Sequence, residues 1–148
     1  MTNSSIVQSS SDSNTNSNTK HQGVIEPSSR DLAMAIASAA DDRKAEDIVI
    51  LNVEGVSYLA DYFTIVTGFS KAQVRAISES IRDRLETEFE RECPRTEGQS
   101  EGTWILLDYG DVIAHVMMPE EREFYNLEAF WGHAERLIYP ESASENQD

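Results

Sequence analysis

The apolar residues of this chain fall into short runs, and the spacing inside each run predicts an element. After Pro27-Ser28-Ser29, the residues Leu32, Ile36 and Ala39 or Ala40 recur at helical spacing. Ser28 is placed to cap that helix and Asp31 lies in its first turn, with an expected end near Asp42. Ile48-Val49-Ile50-Leu51-Asn52-Val53 is a β-branched run of strand length, broken by Gly55 and Ser57. Phe63-Thr64-Ile65-Val66-Thr67 is a second strand, closed by Gly68. Ser70-Lys71-Ala72-Gln73 fits a capping box, and Val74, Ile77, Ile81, Leu85 and Phe89 follow as one apolar stripe that Pro94 is expected to end. Beyond a polar loop from Arg95 to Gly102, Trp104-Ile105-Leu106-Leu107-Asp108 and Val112-Ile113-Ala114-His115-Val116-Met117 read as a hairpin turning at Tyr109-Gly110-Asp111. Pro119, Glu120 and Glu121 open a closing helix with Phe124, Leu127 and Trp131 on one face. The order α-β-β-α-β-β-α predicts an α/β (α+β) domain with a mixed sheet of about four to five strands flanked by helices.

The flanks differ in kind. Residues 1–27 are dominated by Ser, Asn, Thr and Gln and are expected to be a disordered tail; 28–139 form the domain, and 140–148 a second, acidic tail. No apolar run approaches the roughly 18 to 20 residues of a membrane-crossing helix. Met1 to Gln22 lacks the apolar core of a secretory leader, and Lys20 and His21 are too few bases before Arg30 for a transit peptide. A cytoplasmic location with no membrane partner is the expectation. The single cysteine, Cys93, cannot form an internal disulfide and agrees with a reducing compartment.

Charge narrows the partners. The 27 acids outnumber the 12 Lys and Arg residues for a formal net charge of −15. Wrapping nucleic-acid phosphates needs a basic patch that releases counterions, so extensive direct nucleic-acid contact is disfavoured. A basic protein surface is the better match, since complementary fields speed and orient docking.

Candidate chemistry is sparse. His21, His115, His133 and Cys93 show no ligand spacing, so neither a metal nor a cofactor is expected. Gly68-Phe69-Ser70 follows a strand and opens a helix, where free N–H groups attract anions. Nucleotidyltransferases of the polymerase-β type place a Gly-Ser turn there, but they also need an Asp-x-Asp pair on the next strand to hold metals. Only Asp108 and Asp111 are offered, flanking a turn. They are candidates for paired acid/base work or for turn support through side-chain hydrogen bonds. Alternation puts Trp104, Leu106 and Asp108 on one strand face and Ile105 and Leu107 on the other. If the latter pair faces the helices, Trp104 and Leu106 point outward beside acids, as interface hot spots do; if both faces are buried, Trp104 is core.

Four stretches resemble the motifs of the ribosomal silencing factors, also called the Iojap family. They are Lys44-Ala45-Glu46-Asp47-Ile48-Val49-Ile50-Leu51-Asn52-Val53; Asp61 to Ser70 with Gln73-Val74; Trp104 to Met117; and Glu121-Arg122-Glu123-Phe124-Tyr125-Asn126-Leu127-Glu128 with Trp131. The match runs from about Leu32 to Trp131, in order. The resemblance implies a fold related to nucleotidyltransferases without their catalytic residues or activity. It also implies binding to the large ribosomal subunit through its universal protein fourteen. A factor parked there blocks joining of the small subunit and represses translation under nutrient limitation. It further implies dimers off the ribosome, and large-subunit assembly for organelle members. Carried over residue by residue, the contact falls on Trp104, Leu106, Asp108, Tyr109 and Asp111, with Tyr62 and Met117 as further candidates. The chain departs from the pattern in its Ser/Asn-rich N-terminal extension and in Asn52, where Asp is frequent. The competing readings are a large-subunit assembly factor and a nucleotide-dependent transferase using Gly68 to Ser70 with Asp108 and Asp111.

Overall fold

The structure, a computed structural model, describes residues 26–140; nearly all of both expected tails lies outside the described residues. The elements in chain order are α1 (Ser29–Asp41), β1 (Glu46–Asn52), β2 (Tyr62–Thr67), α2 (Lys71–Phe89), β3 (Arg95–Glu97), β4 (Trp104–Asp108), β5 (Val112–Met117), α3 (Pro119–Tyr125), α4 (Leu127–Phe130) and β6 (Glu135–Leu137). The strands form one sheet in the order β3-β4-β5-β2-β1-β6. Only β2 and β5 pair in parallel, Tyr62 with Val112 through Thr67 with Met117; the other neighbours are antiparallel. The result is the mixed sheet with flanking helices that the periodicity predicts.

Six strands exceed the apolar runs in the sequence because the two edge strands are three residues each and mostly polar. Such short polar edges leave no hydrophobic pattern, and they also discourage edge-to-edge pairing with other chains.

Local chemistry sets the helix ends. The Ser28 hydroxyl accepts from the Asp31 N–H, and the Asp31 carboxylate accepts from the Ser28 N–H, both at 3.1 Å, closing a reciprocal cap. Ser70 likewise accepts from the Gln73 N–H at 3.0 Å. The Gln73 side chain departs from the expected box: its oxygen accepts from the Phe69 N–H, and its amide donates to the carbonyls of Arg43 and Lys44. It thereby ties α2 to the α1–β1 turn. α2 also stops before Pro94, because Glu90 adopts a left-handed conformation at φ 54° and its N–H returns to Glu86.

The sheet has two unequal faces. α1 and α2 cover one, packing Leu32, Ile36, Val74, Ile77, Ile81 and Leu85 on Ile50, Val66, Ile105, Leu107, Ala114 and Val116. The opposite face carries Leu51, Phe63, Ile65, Ile113 and Met117, backed by Leu127 and Trp131. β2 and β5 are buried along their full length, as expected of central strands. The closing helix is two short helices, not one. Asn126 at φ 45° breaks it, so Leu127 and Trp131 turn onto the sheet while Phe124 stays exposed.

Candidate functional site

The open end of the second face lies over β3 and β4. Along β4, Ile105 and Leu107 are buried under the helices, and Trp104, Leu106 and Asp108 are half-buried on the opposite side. The alternation therefore resolves as the outward alternative, softened by partial cover. Trp104 packs against Tyr125 from α3, ring centroids 4.8 Å apart and planes tilted by 49°. Its indole N–H donates to Nδ1 of His115 at 3.2 Å. His115 is 6% exposed and meets Phe63 edge-on at 5.1 Å; Phe63 in turn meets Trp131 at 5.6 Å. An aromatic chain thus crosses the face and fixes the Trp104 ring.

His115 is neutral in this setting. With Nδ1 accepting, its proton sits on Nε2, which has no hydrogen-bond partner. Burial, aided by the Arg122 charge and opposed by Asp108, pulls its pKa down to about 4.

The two acids of the hairpin have structural partners. Asp108 accepts from the Gly110 N–H at 2.8 Å, supporting the turn, and Gly110 supplies the positive φ of 93°. Asp111 pairs with Arg91 at 2.8 Å, and Arg91 also donates to the Tyr109 carbonyl. Asp108 thus uses one oxygen within the turn, whereas Asp111 is ion-paired.

Tyr62, Tyr109 and Met117, drawn into the contact by resemblance, are buried at 8%, 4% and 0% exposure. Tyr62 and Tyr109 lie in the helix-side core, on the opposite face from Trp104, and Met117 lies beneath the aromatic chain. Their side chains support the sheet and offer no surface. The Tyr109 hydroxyl has no hydrogen-bond partner, and burial beside Cys93 pushes its pKa above the ordinary phenol value.

The transferase constellation does not assemble. Asp111 precedes β5, whereas the Gly68 N–H bonds the Met117 carbonyl at the other end of that strand. The six residue steps between them span roughly 20 Å at about 3.3 Å each. Gly68 also has a packing reason: a Cβ there would meet Val74 at 3.0 Å. Among the described residues no group of three or more His, Cys, Asp or Glu side chains is placed to hold a metal, and no helix is long and apolar enough to cross a membrane.

A clamp that spacing along the chain does not reveal holds α3 and α4 in place. Arg122, 11% exposed, bonds Glu128 at 2.6 and 3.1 Å, the Thr67 hydroxyl at 2.7 Å and the Asp47 carbonyl at 2.8 Å. Burial pushes the Glu128 carboxyl up, but the Arg122 bonds outweigh it and hold it below its ordinary value. The sequence signal was an arginine inside an otherwise acidic helix.

These features define a small α+β domain with one helix-backed sheet face and one partly open, aromatic-lined face. Residues 26–148 match the model of the family described as "ribosomal silencing factor during starvation", and the chain belongs to that family. A ribosomal silencing factor from Bacillus subtilis (strain 168) is 47% identical over 98 residues, covering 66% of this chain and 82% of the relative. The mouse protein named "mitochondrial assembly of ribosomal large subunit protein 1" is 30% identical over 98 residues, covering 65% of this chain and 43% of the relative. An X-ray structure of a Chromobacterium violaceum protein superposes with a TM-score of 0.68 at 33% identity, covering 73% of this chain and 88% of that one.

Proposed function

We propose that this protein docks on the large ribosomal subunit through the subunit's universal protein fourteen and sterically blocks joining of the small subunit, repressing translation under nutrient limitation. The observation that supports it is the Trp104–Leu106–Asp108 face. It is a partly buried aromatic and aliphatic pair, its tryptophan held by His115, beside a carboxylate, on a strand whose other side is packed. Such a preformed patch costs little ordering on binding, and the net charge of −15 favours a basic partner. The contact comprises Trp104, Leu106 and Asp108, with Asp111 at its margin. Occupancy alone suffices, so no catalytic group is required. In this reading the protein works with cytoplasmic ribosomes, and off the ribosome two copies pair through the same open face.

Sucrose gradients test this reading. Added protein raises free subunits at the expense of whole ribosomes and sediments with the large subunit, whereas Trp104→Ala and Asp108→Lys variants, still folded, do neither. Unchanged gradients with wild-type protein would refute it. The mouse relative's name favours a second reading, in which the same docking serves large-subunit assembly; depletion that leaves immature subunits would support that one.

A further inference from the structure

A groove of about 240 Å³ opens beside the docking face, lined by Glu97, Gly98, Trp104 and Leu106. It is smaller than the roughly 300–1,000 Å³ of small-molecule sites, and it suits a single long side chain. The ladder register explains its composition. Glu97 on β3 pairs with Leu106 on β4, so both side chains project from the same face as Trp104. The floor is built from backbone. Gly98 has φ 86°, and a Cβ there would lie 2.0 Å from the Trp104 carbonyl oxygen. The adjoining loop is pinned, since Arg75 on α2 donates to the carbonyls of Gln99 and Ser100.

The groove has one charged wall. Glu97 is exposed, and its carboxylate makes no hydrogen bond or ion pair among the described residues. Arg95, two residues earlier on the same face, stands opposite Asp108 in the ladder.

We infer that this groove receives one arginine side chain of the basic partner, its aliphatic stem along Trp104 and Leu106 and its guanidinium on the Glu97 carboxylate. Arginine fits better than lysine. Its planar fork meets a carboxylate through two bonds, and it sheds water more easily next to an indole. Glu97 is thereby a specificity-determining residue outside the motif residues of the docking strand. The inference rests on the docking reading above, and the test separates the two.

The experiment is a double-mutant cycle with the full chain and purified universal protein fourteen, whose exposed arginines are changed to alanine one at a time. Wild-type binding that weakens roughly fivefold to tenfold in Glu97→Gln, by less at high salt, and that shows no further loss in Glu97→Gln when one particular arginine is removed, is the expected result. Glu97→Asp keeps most of the affinity, and both variants melt with wild type because Glu97 has no internal partner. Wild-type binding that Glu97→Gln leaves unchanged, or that couples to no arginine, overturns the arginine subsite while the docking reading stands. No binding by the wild-type chain overturns both.

Discussion

Replacing His115 with phenylalanine separates two roles of that ring, packing and titration. In the folded protein its pKa is about 4, against 6.5 for the ordinary side chain. The unfolded chain therefore takes up a proton as pH falls through 6.5, while the folded chain does not until about pH 4. Stability from the neutral ring is complete above pH 6.5 and declines toward pH 4, then levels off. Between pH 7.5 and 5 this amounts to about 2 kcal/mol. Phenylalanine keeps the edge contact with Phe63 and cannot titrate. It also removes the acceptor for the Trp104 indole, a loss of about 1 kcal/mol, partly offset by removing the unpartnered Nε2–H. The variant is thus expected near wild-type stability at pH 7.5 and about 2 kcal/mol less sensitive to acidification by pH 5. Urea unfolding at each pH, extrapolated to water, measures the difference, and the carboxylates common to both chains cancel in it. Parallel stability curves for the two proteins would refute the buried, neutral assignment.

Arg122→Met is expected to lower stability by about 3 kcal/mol, since it leaves Glu128 charged and largely enclosed; denaturant midpoints check this, and a loss below about 0.5 kcal/mol would mean that the pair behaves as an exposed one. Tyr109→Phe removes a buried hydroxyl without a partner, so its melting temperature should equal or exceed that of wild type, with ribosome co-sedimentation unchanged. A loss of binding in that variant would return Tyr109 to the contact. Gly98→Ala is expected to cost more than about 1 kcal/mol, because the methyl group meets a carbonyl at a positive φ; calorimetry reads the shift.

Most of the scaffold was legible because its signals are periodic. α1, the α2 stripe, β1, β2 and the β4–β5 hairpin follow from apolar spacing and from Ser28, Ser70 and Gly110. What escaped lacks such a period. β3 and β6 are polar triplets that become strands only because β4 and β1 offer them edges. The break at Asn126 is a tertiary choice that lets Leu127 and Trp131 reach the sheet. The candidate site was half legible. Strand alternation set Trp104, Leu106 and Asp108 apart from Ile105 and Leu107, but a motif makes no distinction between residues that touch a partner and residues that hold those in place. Tyr62, Tyr109 and Met117 are motif residues that the fold buries. Glu97 comes beside Leu106 through the ladder register, and Arg122 reaches Thr67 and Asp47, neither of which spacing alone reveals.

The placement of β5 between β4 and β2 has a consequence for synthesis. β4 is translated before β5, yet in the sheet β5 lies between β4 and the rest of the core. A growing chain that has emerged only as far as Asp108 can lay its tryptophan strand against β3 and α2 but cannot join it to the rest of the sheet, because Tyr62 and its neighbours still await Val112 to Met117. Closing so long a loop is the slow step in such topologies. The face that carries Trp104 therefore closes onto the core only after β5 has been made.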